Sequence, residues 1–195
     1  MRSNLILIFI CTAILATASF AQETTSPRAI DLSSHFANRL IAADVSKSGL
    51  TNALPVPVTP AVAEVERRAF EKLNELRAAK GLPELEWNDQ IASVARYHSQ
   101  SMAKGKYFSH QDKDGLLVNE RADRMGLAEW TAIGENIAFA KGFKDPIQLA
   151  IETWMNSPAH RDNILATRWT GSAVGVAVSE DGAYYFTQVF IARKL

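Results

Sequence analysis

An α+β fold, helices first and one antiparallel hairpin last, is what this 195-residue sequence predicts. Three observations carry the prediction. Apolar residues recur at helical spacing in separate stretches between residues 61 and 155. Near the C-terminus, two runs of strand-forming residues flank Glu180-Asp181-Gly182-Ala183, a turn-forming tetrad. No strands alternate with the helices, as a doubly wound parallel sheet would require.

Residues 1–21 read as a secretory signal. Arg2 and the amino terminus supply positive charge, Leu5 to Ala16 is apolar except for Thr12, and Ser19-Phe20-Ala21 fits a small-x-small cleavage site. That apolar run is shorter than the ~20 residues that span a bilayer, and no later run approaches such a length. Cys11, the only cysteine, would leave with the signal, so the exported domain would hold no disulfide and would rest on its core. Residues 22–60 read as a tether. A short helix is compatible with Ala29 to Val45, but Gly49, Pro55, Pro57 and Pro60 exclude a regular one afterwards. His35, within the tether, reads as a solvated residue.

Residues 61–195 read as one domain. Val62, Val65, Ala69, Leu73 and Leu76 form a helical stripe that Gly81 stops. After the turn at Gly81-Leu82-Pro83, Asn88 or Asp89 can cap a second helix with the stripe Ile91, Val94, Ala95, His98, Met102, closed by Lys104-Gly105. A polar loop carrying His110, Asp112, Asp114 and Gly115 precedes a short helix over Val118 to Met125. The class of Gly134 to Ala138 is not readable. Asp145-Pro146 opens a helix as N-cap and first residue, with Gln148 at the capping-box position and Ile147, Ala150, Ile151 and Trp154 as its buried stripe. Ala173–Ser179 and Tyr184–Ala192 are the hairpin strands, and the first, small or apolar on both faces, reads as central in its sheet.

Formal charge is zero, with no run of Lys or Arg, which removes support for nucleic-acid binding by phosphate neutralisation. The chemistry gathers at Phe108-Ser109-His110, Gly134-Glu135-Asn136 and Ser157-Pro158-Ala159-His160. His110, Glu135 and His160 stand 25 residues apart at each step, so only the fold can bring them together. Two imidazoles and a carboxylate that converge make a divalent-metal site or an acid/base cluster. Glu135 has a structural alternative as a helix-capping carboxylate. Arg161 and Asn163 read as turn-locking residues, His98 as a satisfied core histidine, and Trp87 and Trp154 as core. Asp112, Asp114 and Gly115 are an incomplete calcium loop and read as a polar turn. Ser157 could be a nucleophile beside His160, but Ser-Pro is also an ordinary helix-terminal turn and no Gly-x-Ser-x-Gly surrounds it.

These residues, in this order, resemble a family. From about Glu64 onwards, Leu73-Asn74-Glu75-Leu76-Arg77, Trp87, His98, Phe108-Ser109-His110, Gly134-Glu135-Asn136, Trp154-Met155-Asn156-Ser157-Pro158-Ala159-His160-Arg161 and Gln188-Val189-Phe190 are similar to the bacterial branch of the CAP superfamily, or SCP-like domains. The resemblance implies a three-layer α-β-α sandwich with a large cleft, lined in many members by two His and two Glu, with a cation on the His pair in some. His110, Glu135 and His160 fill three of those roles. The fourth falls near Ser157, where this chain has no acid, and one Glu cannot serve as general acid and base in the same step.

The functional expectation is therefore an exported monomer, periplasmic or extracellular, with no firm catalytic activity. His110, Glu135, His160, Ser157 and Asn136 would line its cleft. His110 and His160 would hold a divalent cation, zinc or magnesium, or the cleft would take a small envelope ligand or protein partner. The alternative is a metal-assisted, peptidase-like hydrolase of the envelope.

Overall fold

A computed structural model of the chain describes residues 56–193; the expected signal, His35 and all but the last five residues of the tether lie outside the described residues. Helix α1 (Pro60–Ala78) starts where the tether was expected to end. Thr59 caps it by accepting from the Val62 N–H, and Pro60 occupies a first-turn position that needs no N–H. Helix α2 (Asp89–Gly105) is capped by Asn88, which accepts from the Gln90 and Ile91 N–H groups. It ends on Lys106 in the left-handed region (φ 52°), one residue beyond the expected Lys104-Gly105 stop. Helix α3 (Val118–Arg124) follows. Helix α4 (Pro146–Asn156) has Asp145 as its cap, accepting from Gln148 N at 3.0 Å. The Gln148 side chain reaches Glu152 instead of returning to the cap, so only half of the expected reciprocal box forms. Ser157 both ends α4 and begins α5 (Pro158–Leu165).

The strands are β1 (Glu86–Trp87), β2 (Trp130–Ala140), β3 (Gly171–Val178) and β4 (Tyr184–Arg193), in the order β1-β3-β4-β2. The hairpin β3–β4 stands as its turn residues predicted. The unreadable segment at Gly134–Ala138 is the middle of β2, antiparallel to β4. It hides from a period-2 reading because both of its faces are buried. β1 pairs with β3 in parallel at only two positions.

Helices cover both faces. Phe70, Leu73, Ile147, Ile151, Trp154 and Ile164 from α1, α4 and α5 pack on Ala138, Val174, Val176, Phe186 and Phe190. On the other face Ile91, Val94, Ala95, Val118 and Ala122 from α2 and α3 pack on Ile133, Ala173, Val189 and Ile191. This is the expected α-β-α layering. Trp154 is fully buried as expected, but Trp87 is only half-buried, with the Arg67 guanidinium 4.0 Å above its ring.

One expectation for the sheet is corrected. β3 is covered on both faces but is not central along its length, since β1 pairs only with Gly171 and Ser172. Beyond them its outer edge is closed by side chains. Glu66 of α1, 0% exposed, accepts the Val176 N–H at 3.0 Å and takes a forked ion pair from Arg96 of α2. An inward charge on an edge satisfies the backbone and blocks pairing with another chain. Gly175 makes the close approach possible: a Cβ there would lie 2.2 Å from Arg96 N and 2.4 Å from the Ala95 carbonyl carbon. Because those atoms are backbone, Gly175→Ala is expected to destabilise the domain by roughly 3 kcal/mol or more in urea unfolding. Glu66→Ala strands Arg96 inside and is expected to cost about 3–5 kcal/mol by the same measurement, with clearly less lost in Glu66→Met/Arg96→Met.

Candidate functional site

Strand β2 lies at one edge of the sheet, and successive side chains of a strand point to opposite faces. Glu135 therefore faces α2 and α3, while Asn136 faces α4 and α5. On its side, Glu135 Oε1 accepts a 2.8 Å hydrogen bond from His110 Nδ1, and Oε2 accepts one of 2.5 Å from Arg121 Nη2 of α3. Arg121 Nη1 also donates to the carbonyls of His110 and Leu116, at 2.9 and 2.6 Å. On the other side, Asn136 Nδ2 donates to the His160 carbonyl at 3.1 Å, and Asn136 Oδ1 accepts from Asn163 Nδ2 at 3.0 Å. His110 and His160 thus belong to opposite helical layers. Their rings stack 6.5 Å apart, 29° from parallel, and so meet past the edge of β2.

The preceding residue is small for a reason. A Cβ on Gly134 would meet the Trp169 ring at 3.0 Å. Trp169 is itself fixed, donating from its indole N–H to the Asn163 carbonyl.

Burial opposes ionisation of Glu135. The hydrogen bond from His110 and the charges of Arg121 and the histidines outweigh it and hold the carboxyl below its usual range. As an ionised carboxylate only accepts, His110 carries its proton on Nδ1. Burial lowers His160, and proximity to His110 lowers it further, so its neutral ring is favoured. Its Nδ1 is buried without a partner. His110 is the exposed member of the group, its side chain 22% accessible.

The structure brings together His110, Glu135 and His160, with Asn136 as a brace. It corrects the reading of Glu135 as a helix cap and of His98 as fully satisfied. Glu135 caps no helix but sits mid-strand. His160, just past the end of α4, lies in the first turn of α5. His98 is buried as expected but only half satisfied: Nε2 donates to the Ser109 carbonyl at 2.8 Å and stands 3.9 Å from Glu135 Oε1, while Nδ1 has no partner. Burial lowers the His98 pKa, partly offset by the Glu135 charge. Ser157 is half-buried at the junction of the two helices and its hydroxyl makes no capping bond. Arg161 and Asn163 lock backbone carbonyls, as read. Asp112 organises a polar turn by accepting from the Asp114 and Leu116 N–H groups.

Arg121 is the residue that sequence reasoning missed. Its signal was its position three residues after Val118, on the buried side of α3, where a charge needs a partner.

Comparison with known proteins agrees with the fold. The Bacillus subtilis protein YkwD is 34% identical over 177 residues, 91% of this chain, and the Bacillus subtilis membrane protein YlbC is 37% identical over 128 residues, 66% of it. The chain spans 63% and 34% of the lengths of those two proteins. A crystal structure of an extracellular SCP-domain protein from Bacillus anthracis superposes with a TM-score of 0.59 at 32% identity, covering 71% of this chain and 45% of that one. The family model described as the cysteine-rich secretory protein family matches residues 70–190, a span that holds β1 to β4 almost entirely and every residue of the His–Glu–His group. The chain belongs to this CAP family.

Proposed function

We propose that the domain acts in an exported setting as a binding module, in which His110 and His160 hold a divalent cation of the zinc class and an envelope ligand or partner supplies further donors. The observation that carries this reading is the engagement of Glu135. Both of its oxygens are taken, one by His110 and one by Arg121. Such a carboxylate orients a histidine rather than binding metal itself. With Nδ1–H pointing at Glu135, Nε2 is the His110 nitrogen left to offer a lone pair to a metal, the arrangement in which second-sphere carboxylates support metal-bound imidazole. His160 adds a neutral ring with a buried, unpartnered nitrogen.

Among the described residues no three His, Cys, Asp or Glu side chains are grouped to hold a metal on their own. The donor set is therefore two imidazoles, which suits zinc, whereas magnesium demands oxygen ligands that this site has already committed elsewhere. Bound zinc would supply Lewis-acid polarisation of whatever oxygen a ligand presented.

The hydrolase alternative gains nothing from the geometry. A carboxylate whose basicity is reduced by Arg121 makes a poor general base, and no second carboxylate joins it. The absence of any helix long and apolar enough to cross a membrane, among the described residues, is compatible with an exported domain.

Calorimetric titration of wild type with zinc is expected to show about one equivalent bound. Affinity should fall about 10–100-fold in Glu135→Gln, which keeps the shape but loses the orienting charge, and further in His110→Ala. Equal binding by wild type and His110→Ala would sink the proposal.

The same residues make stability depend on pH. His98 and His160 both have folded pKa values below 6.5, so the unfolded chain takes up protons there that the native one refuses. Stability then falls as pH drops through that value. Glu135, depressed below 4.5, adds a second loss at lower pH as it is protonated. The urea midpoint is expected to decrease between about pH 7.5 and pH 5.5, and to decrease less in His160→Asn. A midpoint flat across this range would contradict the neutral-histidine assignment.

A further inference from the structure

Three exposed aromatic side chains lie in two segments that touch each other. Phe108 is 51% exposed, Phe139 42% and Phe143 60%. Phe108 and Phe139 pack edge to face with centroids 6.3 Å apart, and Phe139 leans in the same manner on Tyr185 at 5.0 Å. The contact joins two stretches in which aromatic and basic residues interleave, Lys104-Gly105-Lys106-Tyr107-Phe108 and Phe139-Ala140-Lys141-Gly142-Phe143-Lys144. With Lys113, whose ammonium lies 6.0 Å over the Tyr107 ring, these stretches gather five of the nine lysines in a chain of zero net charge. Lys141 is neutralised by Asp181 at 2.6 Å. Lys104, Lys106, Lys113 and Lys144, all exposed, are outside every ion pair among the described residues.

We propose that this ledge is the docking surface for a linear acidic polysaccharide, its sugar rings lying on Phe108 and Phe143 and its carboxylates facing Lys104, Lys106 and Lys144. The C–H-rich face of a pyranose ring complements the negative face of an aromatic ring, and the unpaired ammonium groups complement the acid. Two competing occupants fit less well. An extended peptide would dock by adding a strand to the β2 edge, but the outward carbonyls of Glu135 and Ile137 already accept from Asn163 and Trp154. An anionic bilayer, being a broad flat surface, would have to cover the exposed Glu180, next to the Lys141 partner Asp181, whereas a single linear chain can lie along the ledge beside it. The ledge runs into the site, since Phe108 precedes His110 by two residues. A polymer on the phenylalanines can therefore continue to the histidine pair. That extension rests on the binding reading above; the ledge does not.

The test is titration of the full chain with a hexamer of galacturonic acid at low salt, beside a neutral glucose hexamer, hexaglutamate and phosphatidylglycerol vesicles. Binding of the acidic hexamer alone is expected, weakened about tenfold or more in Phe108→Ala/Phe143→Ala and in Lys104→Gln/Lys106→Gln. Both variants should keep the wild-type melting temperature and zinc titration. Unchanged affinity in either variant, equal binding of the neutral hexamer or hexaglutamate, or vesicle binding lost in the phenylalanine variant would overturn the proposal. His110→Ala that binds the hexamer like wild type but no zinc would uphold the ledge and remove only its extension. Hexamer binding together with absent zinc binding by wild type would separate failure of the metal reading from failure of the ledge.

Discussion

The site depends on a two-residue alternation at the edge of a sheet. Neighbouring residues of a strand face opposite ways, so Glu135 and Asn136 grip different helical layers from adjacent positions of β2. Glu135 fixes His110 through its ring, and Asn136 fixes His160 through its backbone carbonyl. Only an edge strand allows this. In an inner strand the two layers would be separated by the next strand, and residues from opposite faces could not stack as His110 and His160 do.

An edge strand carries a liability, because its outward backbone groups invite another chain. This domain closes both ends of its sheet with side chains. On β3 the closing group is the buried Glu66–Arg96 fork. On β2 the Trp154 indole donates to the Ile137 carbonyl at 2.9 Å, and Asn163 reaches the Glu135 carbonyl. The residues that protect β2 come from α4 and α5, the second of which carries His160. Edge protection and site assembly are thus one set of bonds. Arg121 plays the matching part on the opposite face. A buried guanidinium is costly unless its donors are met, and here they bind Glu135, His110 and Leu116 together, tying α3, the polar loop and β2.

What could be read in the sequence follows from which signals survive burial. Helices with one apolar face announce themselves, and the stripe Ile147, Ala150, Ile151, Trp154 is buried as its spacing says. The hairpin announces itself through its turn. β2 does not, because a strand buried on both faces loses its alternation. Charged residues on helices are read as outward, which conceals Glu66, Arg77 and Arg121. Arg77, 0% exposed, donates to the Ile164 and Ala166 carbonyls and so fixes the end of α5 from α1. The three site residues were legible because each sits in a run of small, turn-forming or polar neighbours. Their mutual geometry was not, since it comes from the strand that could not be read.

The two histidines, alike in sequence, end in different physical states. His110 is partly exposed, carried on a loop and held at its ring by Glu135 and at its carbonyl by Arg121. His160 is set in a helix, buried, and held through backbone rather than ring. In the binding reading proposed above, a ligand arriving from solvent would meet His110 first and His160 behind it. Arg121 cancels Glu135 internally, so the two rings, one partly exposed and one buried, belong to a group without net charge from that pair, and in the proposed reading donor chemistry rather than long-range attraction would select a ligand.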